Sequence, residues 1–89
     1  DEPRARFSLA NELLKREQDA DAVEQLRAYL DLAEDEGNAW GKLAEALTRL
    51  GRVDEAASAY LAGIEQSLKH GHSGMADDFV AALEALPET

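Results

Sequence analysis

Shifted by 34 residues, the chain falls into register with itself: Leu9 meets Leu43, Ala10 meets Ala44, Leu13 meets Leu47, Ala22 meets Ala56, Leu26 meets Tyr60 and Leu30 meets Ile64. A self-match at a fixed period of roughly 20–50 residues marks a stack of similar units, each of which buries its apolar side only against the next. The units are helical, because Phe7, Ala10, Leu13 and Leu14 recur at three- and four-residue spacing, as do Trp40, Leu43, Ala44 and Leu47. No segment alternates in the way a strand would. Seventeen alanines suit closely approaching helices, since alanine has the best helix propensity and the smallest side chain that keeps it.

Breakers divide the chain into five helices, over residues 3–16, 20–33, 38–50, 54–69 and 73–86. Both prolines lie at the ends, Pro3 in a first turn and Pro87 past a last one. Asp19 and Asn38 are the expected N-caps, and Gly51 suits the left-handed residue after the third helix. Ser73 opens the last helix, whose first turn is expected to carry Asp77 and Asp78 beside the positive end of the helix dipole. Connections this short make consecutive helices antiparallel.

The second copy reads Trp40-x2-Leu43-Ala44-x2-Leu47, then Gly51-Arg52-Val53-Asp54-Glu55-Ala56-x3-Tyr60. That string closely resembles the tetratricopeptide repeat signature, whose period is also 34. Ala44 and Ala56 sit where the two helices of a pair must approach, and a larger side chain there would force them apart. The resemblance implies one all-α domain over residues 1–89: two helix-turn-helix repeats, 3–36 and 37–70, and a capping helix at 73–86. Five antiparallel helices then form a short right-handed superhelix. This sequence departs from the pattern at Arg6, where tryptophan is usual, at Tyr29 and Gly63, where alanine is usual, and at Leu68, in the usual proline place. A further shift of 34 puts Gly74 and Asp77 where Trp40 and Leu43 stood, so no third repeat begins there. Met75, Phe79, Leu83 and Leu86 instead form an apolar stripe, expected to cover the open side of the second pair.

Nineteen acids against nine bases give a net charge of −10, which argues against nucleic acid or an anionic membrane as the partner of the whole surface. The scarcity of lysine (Lys15, Lys42 and Lys69) and paired acids such as Asp35-Glu36 fit either adaptation to high salt or an ordinary acidic domain. No run approaches the ~20 apolar residues of a membrane span and no signal region is evident, so a cytoplasmic location is expected. The start at Asp1 without methionine reads as a processed or excised chain. Leu86-Pro87-Glu88-Thr89 looks like the cleaved end of a sortase sorting signal, although no glycine or anchor follows it.

Catalytic chemistry finds little foothold. There is no cysteine for a nucleophile or thiolate metal site. His70-Gly71-His72 is a metal-like spacing that falls short of a four-ligand set, so no metal and no cofactor is expected. Ser8, Ser58, Ser67 and Ser73 read as helix-surface or capping residues, and carboxylate pairs lack the pocket that acid–base work requires. The chain is not expected to be an enzyme.

Charge distribution says more than total charge. The first helices of the two pairs hold Arg4, Arg6, Lys15, Arg16, Lys42 and Arg49 against only Glu12 and Glu45. In the family these helices line a concave groove. The resemblance therefore implies a comparatively basic groove formed by Arg4, Phe7, Asn11, Leu14 and Lys15 with Asn38, Lys42, Glu45, Thr48 and Arg49. Pairing of Glu12 with Arg16 and of Glu45 with Arg49 accounts for the same bases without a ligand, so both readings stand. The chaperone-type clamp for a C-terminal carboxylate does not fit, because Phe7 and Lys42 replace two of its residues and a third repeat is missing. The function expected is capture of a protein or peptide, an acidic segment by charge, by a monomer or weak homo-oligomer. The alternative is a self-association module of a longer parent protein.

Overall fold

A computed structural model of the chain describes residues 2–88. Asp1, on which the expectation about the chain start rests, and Thr89, the last residue of the terminal tetrapeptide, lie outside the described residues. Those residues form five helices and no strand: α1 (Pro3–Lys15), α2 (Asp19–Leu32), α3 (Asn38–Arg49), α4 (Val53–Lys69) and α5 (Ser73–Glu84). Each helix meets chiefly the next one in sequence, α1 with α2, α2 with α3, α3 with α4 and α4 with α5. The repeat period and the breakers thus located every element to within two residues.

The turns inside the pairs share one geometry. After α1, the Gln18 amide donates to Leu13 at 2.9 Å across a left-handed Glu17 (φ 59°); after α3, the Arg52 amide donates to Leu47 at 2.9 Å across Gly51 (φ 76°). A third such turn follows α4, where His72 donates to Ser67 around Gly71 (φ 77°). This bond satisfies a carbonyl at the helix end and turns the chain back. Two of the three left-handed sites are glycine. Glu17, which matches Gly51 at the repeat period, bears the cost of a Cβ there, roughly 1–2 kcal/mol.

The expected caps need correction. Asp19 and Asn38 are first residues of their helices, not N-caps; the cap positions are Gln18 and Gly37, and neither makes a side-chain capping bond. The start of α3 is capped by Asp35, whose Oδ2 accepts from the amides of Gly37 at 2.9 Å and Ala39 at 2.8 Å. Gly37 at φ 130° is what folds the chain back so that a residue this far upstream can reach. Asp77 and Asp78 lie in the second turn of α5, whose first turn holds no acid, so they gain little from its dipole.

The core sits where the repeat match put it. Ala10 and Ala22 of the first pair and Ala44 and Ala56 of the second are all 0% exposed, with Leu26, Leu43 and Leu47 filling the space between helices. The match weakens on α1: Leu43 is 1% exposed but its counterpart Leu9 is 46% exposed, and Leu13 is half-buried where Leu47 is fully buried. Leu43 packs beside α2, whereas no helix precedes α1 among the described residues. Arg6, the counterpart of Trp40, instead donates to Gln25 Oε1 at 3.0 Å.

Helix α5 covers the second pair through Ala76, Phe79, Ala82 and Leu83, and Leu86 follows just past its end. Phe79 seats its ring against two glycines: a Cβ at Gly41 would lie 2.6 Å from the ring, and one at Gly63 3.0 Å from it. The Gly63 departure from the usual alanine is thereby explained, since α5 approaches at that point. Tyr60 closes the seat, ring centroid 5.9 Å from that of Phe79.

Candidate functional site

Successive residues of a helix turn by about 100°, so Asn38, Lys42 and Glu45 lie on one side of α3 while Trp40 and Leu43 lie on the opposite side. The first side faces α5. Asn38, Gly41, Lys42 and Glu45 line a shallow groove of 190 Å³ whose other wall is Met75 and Phe79. Arg4 and Phe7 line a separate recess of 370 Å³ between the start of α1 and the end of α2, together with Pro3 and Tyr29. The ten residues assigned to one groove are therefore divided between places.

The Phe7 ring stacks on Tyr29, centroids 4.9 Å apart, so it is half-spent on packing; this also explains the tyrosine where alanine is usual. Leu14 is half-buried against the core. Asn11 is half-buried with its amide oxygen shut off from solvent. Arg4 and Lys15 are exposed. Thr48 donates its hydroxyl to Ala44 O at 2.7 Å. Arg49 does not pair with Glu45. Its Nε and Nη2 grip both oxygens of Asp19, each at 3.0 Å, strapping the end of α3 to the start of α2. That pairing raises the Arg49 pKa, the hydrogen bond to Asp19 being the main cause.

The α2–α3 and α4–α5 loops meet in a cluster of charge. Lys69 binds Glu34 at 3.1 Å, while Glu36 lies 2.6 Å from His72 Nε2 and 3.9 Å from His70 Nδ1. Hydrogen bonding to Lys69 and to His72 holds the Glu34 and Glu36 carboxyls below their usual range. Among the described residues no group of three or more histidine, cysteine or acidic side chains is placed to hold a metal ion. The two histidines instead bracket a carboxylate.

The side of α3 that carries Trp40 and Leu43 was not among the positions that sequence reasoning put in the groove. There the indole is half-buried, and Arg27, Trp40 and Leu43 are common to two adjoining recesses of 140 and 380 Å³. Leu30 and Asp31 of α2 complete the first. Ser58, Ala59 and Ala62 of α4 complete the second, with Glu55. Small side chains at those α4 positions, all visible in the sequence, were the available signal.

The chain superimposes on the solution NMR structure of a tetratricopeptide repeat domain protein from Salinibacter ruber with a TM-score of 0.81 and 25% identity, over 93% of this chain and 84% of that one. The fold is that of a tetratricopeptide repeat domain. No family model and no curated protein sequence matches the chain. Tetratricopeptide folds typically serve as non-catalytic interaction modules, presenting an extended surface built from successive repeats. No helix among the described residues is long and apolar enough to cross a membrane.

Proposed function

We propose that this tetratricopeptide domain is a protein-interaction module that takes an acidic peptide segment on the face formed by α1 and α3. The observation that carries the reading is the sorting of charge by helix. Helices α1 and α3 hold five bases and two acids, whereas α2 and α4 hold two bases and seven acids, within a chain of net charge −10. An acidic segment is drawn to the first face and repelled by the second. Arg4, Lys15 and Lys42 supply the attraction, with Phe7 and Leu14 as partly exposed apolar contacts and Asn11, Asn38, Glu45 and Thr48 as polar neighbours. Arg49 contributes less, being committed to Asp19.

A labelled acidic peptide, titrated at increasing sodium chloride, tests this. Binding should weaken with salt, and Lys15→Glu with Lys42→Glu should weaken it about 2- to 30-fold, from two ion pairs at ~0.2–1 kcal/mol each. Unchanged affinity in the double variant would sink the reading. Self-association is the second reading, favoured by the exposure of Leu9 where its counterpart is buried. Its mark is a mass in solution that rises with protein concentration and reverts in Leu9→Glu.

A further inference from the structure

The groove on the far side of α3 has the makings of a binding surface in its own right. Its floor is apolar, Trp40 and Leu43, and the small side chains of Ser58, Ala59 and Ala62 leave depth beside the indole. Its walls, α2 and α4, are the acidic helices. Arg27, the base that lines both recesses, is already matched: its Nη2 lies 2.8 Å from Glu55 Oε2, and the same oxygen also takes Arg52 at 2.8 Å. Asp31 on the α2 wall is exposed and has no ion-pair partner among the described residues. Asp31 is thus the lining carboxylate that no cation of the described residues holds, and it stands beside an apolar slot.

From this we infer that the α2–α3–α4 groove docks a basic segment of a partner protein that inserts a bulky apolar side chain against Trp40. The apolar contact provides affinity, and a partner cation meets Asp31, while Glu55 stays held by Arg27 and Arg52. An acidic segment is excluded by the same walls. The chain then offers two faces of opposite preference on one helix, acidic ligands on the Lys42 side and basic ones on the Trp40 side.

Trp40 is the sole tryptophan, so its fluorescence reads occupancy of the groove directly. The probes are an amphipathic leucine–lysine peptide of about 14 residues and its leucine–glutamate counterpart. The lysine peptide should shift Trp40 emission saturably and the glutamate peptide should not. Asp31→Lys should weaken binding about fivefold or more, the scale of one exposed ion pair reversed. Ala62→Phe, which fills the second recess, should weaken it further; if that variant does not fold, the exposed Asp31→Lys decides alone. Asp77→Lys makes the same change in net charge on α5, which lines neither recess, and should leave affinity within about twofold. Equal weakening by Asp77→Lys and Asp31→Lys would mean attraction to net charge alone and would overturn the proposal. So would tighter binding of the glutamate peptide, or an emission shift that follows protein concentration without peptide. Lys42→Glu, on the other face, should not matter here, so this inference and the acidic-peptide reading fail separately.

Discussion

Replacing Gly41 with alanine puts two known effects in opposition. In an ordinary helix interior the change is favourable by roughly 0.5–1 kcal/mol, because glycine loses more backbone freedom on folding. At Gly41 the new methyl would lie 2.6 Å from Cε1 and Cζ of Phe79, about 1 Å inside the usual carbon–carbon contact of 3.5–4.0 Å. A ring tip can normally swing away, but Gly63 and Tyr60 hold this ring on its other sides, so the displacement passes to α5. Overpacking of this kind costs ~1–3 kcal/mol. The net expectation is destabilisation of ~1 kcal/mol, a fall in Tm of roughly 4–8 °C for a domain of this size. Thermal melts followed by circular dichroism measure it. Gly74→Ala is the control, since no atom lies within 4 Å of its Cβ position, and it should stabilise. Combining Gly41→Ala with Phe79→Leu should cost less than the two changes summed, because the methyl then replaces lost ring volume. If Gly41→Ala stabilises as much as Gly74→Ala, the seating of Phe79 between glycines is wrong.

Three further outcomes follow from local geometry. Asp35→Ala should destabilise by about 1 kcal/mol, the value of a helix cap, and Asp35→Asn should retain most of that, both by thermal melt. Glu17→Gly should stabilise by up to ~1 kcal/mol by relieving the left-handed Cβ; a lower Tm would contradict that account. Glu36, whose pKa is lowered by His72 and then His70, contributes stability that is present above its unfolded pKa near 4.5 and lost as pH falls through its lower folded value. Glu36→Gln should therefore flatten the acid limb of a Tm-against-pH curve below about pH 4.5, and an unchanged slope would contradict the contact.

Helix limits and core were legible because both rest on spacing: the breakers end the helices, and Ala22 and Ala56 lie where the period requires. Contacts between distant parts of the chain were not. The cap on α3 escaped notice because Asp35 stands outside the usual cap position and depends on the φ of Gly37, which the residue order does not specify. For Arg49, one of two readings offered Glu45, its neighbour at helical spacing, whereas its partner Asp19 is 30 residues away. Leu9 and Leu43 match in the self-comparison yet differ in burial, because a self-match compares residues and not the helices around them. For the site, sequence supplied the basic residues of α1 and α3, but not that Arg4 and Lys42 line separate recesses, nor the exposed flank of Trp40.

Contacts that run chiefly from each helix to the next set the order in which this molecule comes apart. Helix α1 holds on chiefly by α2 and α5 chiefly by α4, with Phe79 also against α3, whereas α2, α3 and α4 are gripped from two sides. The outer helices therefore open first and the middle last, so amide hydrogens of α3 should exchange among the slowest and those of α1 among the fastest. No step in assembly requires the two ends of the chain to find each other, which places folding on the fast side, in the microsecond-to-millisecond range of helical bundles. The residues of α3 that face the two grooves, Lys42 on one side and Trp40 on the other, thus stand on the segment that stays formed while the ends breathe.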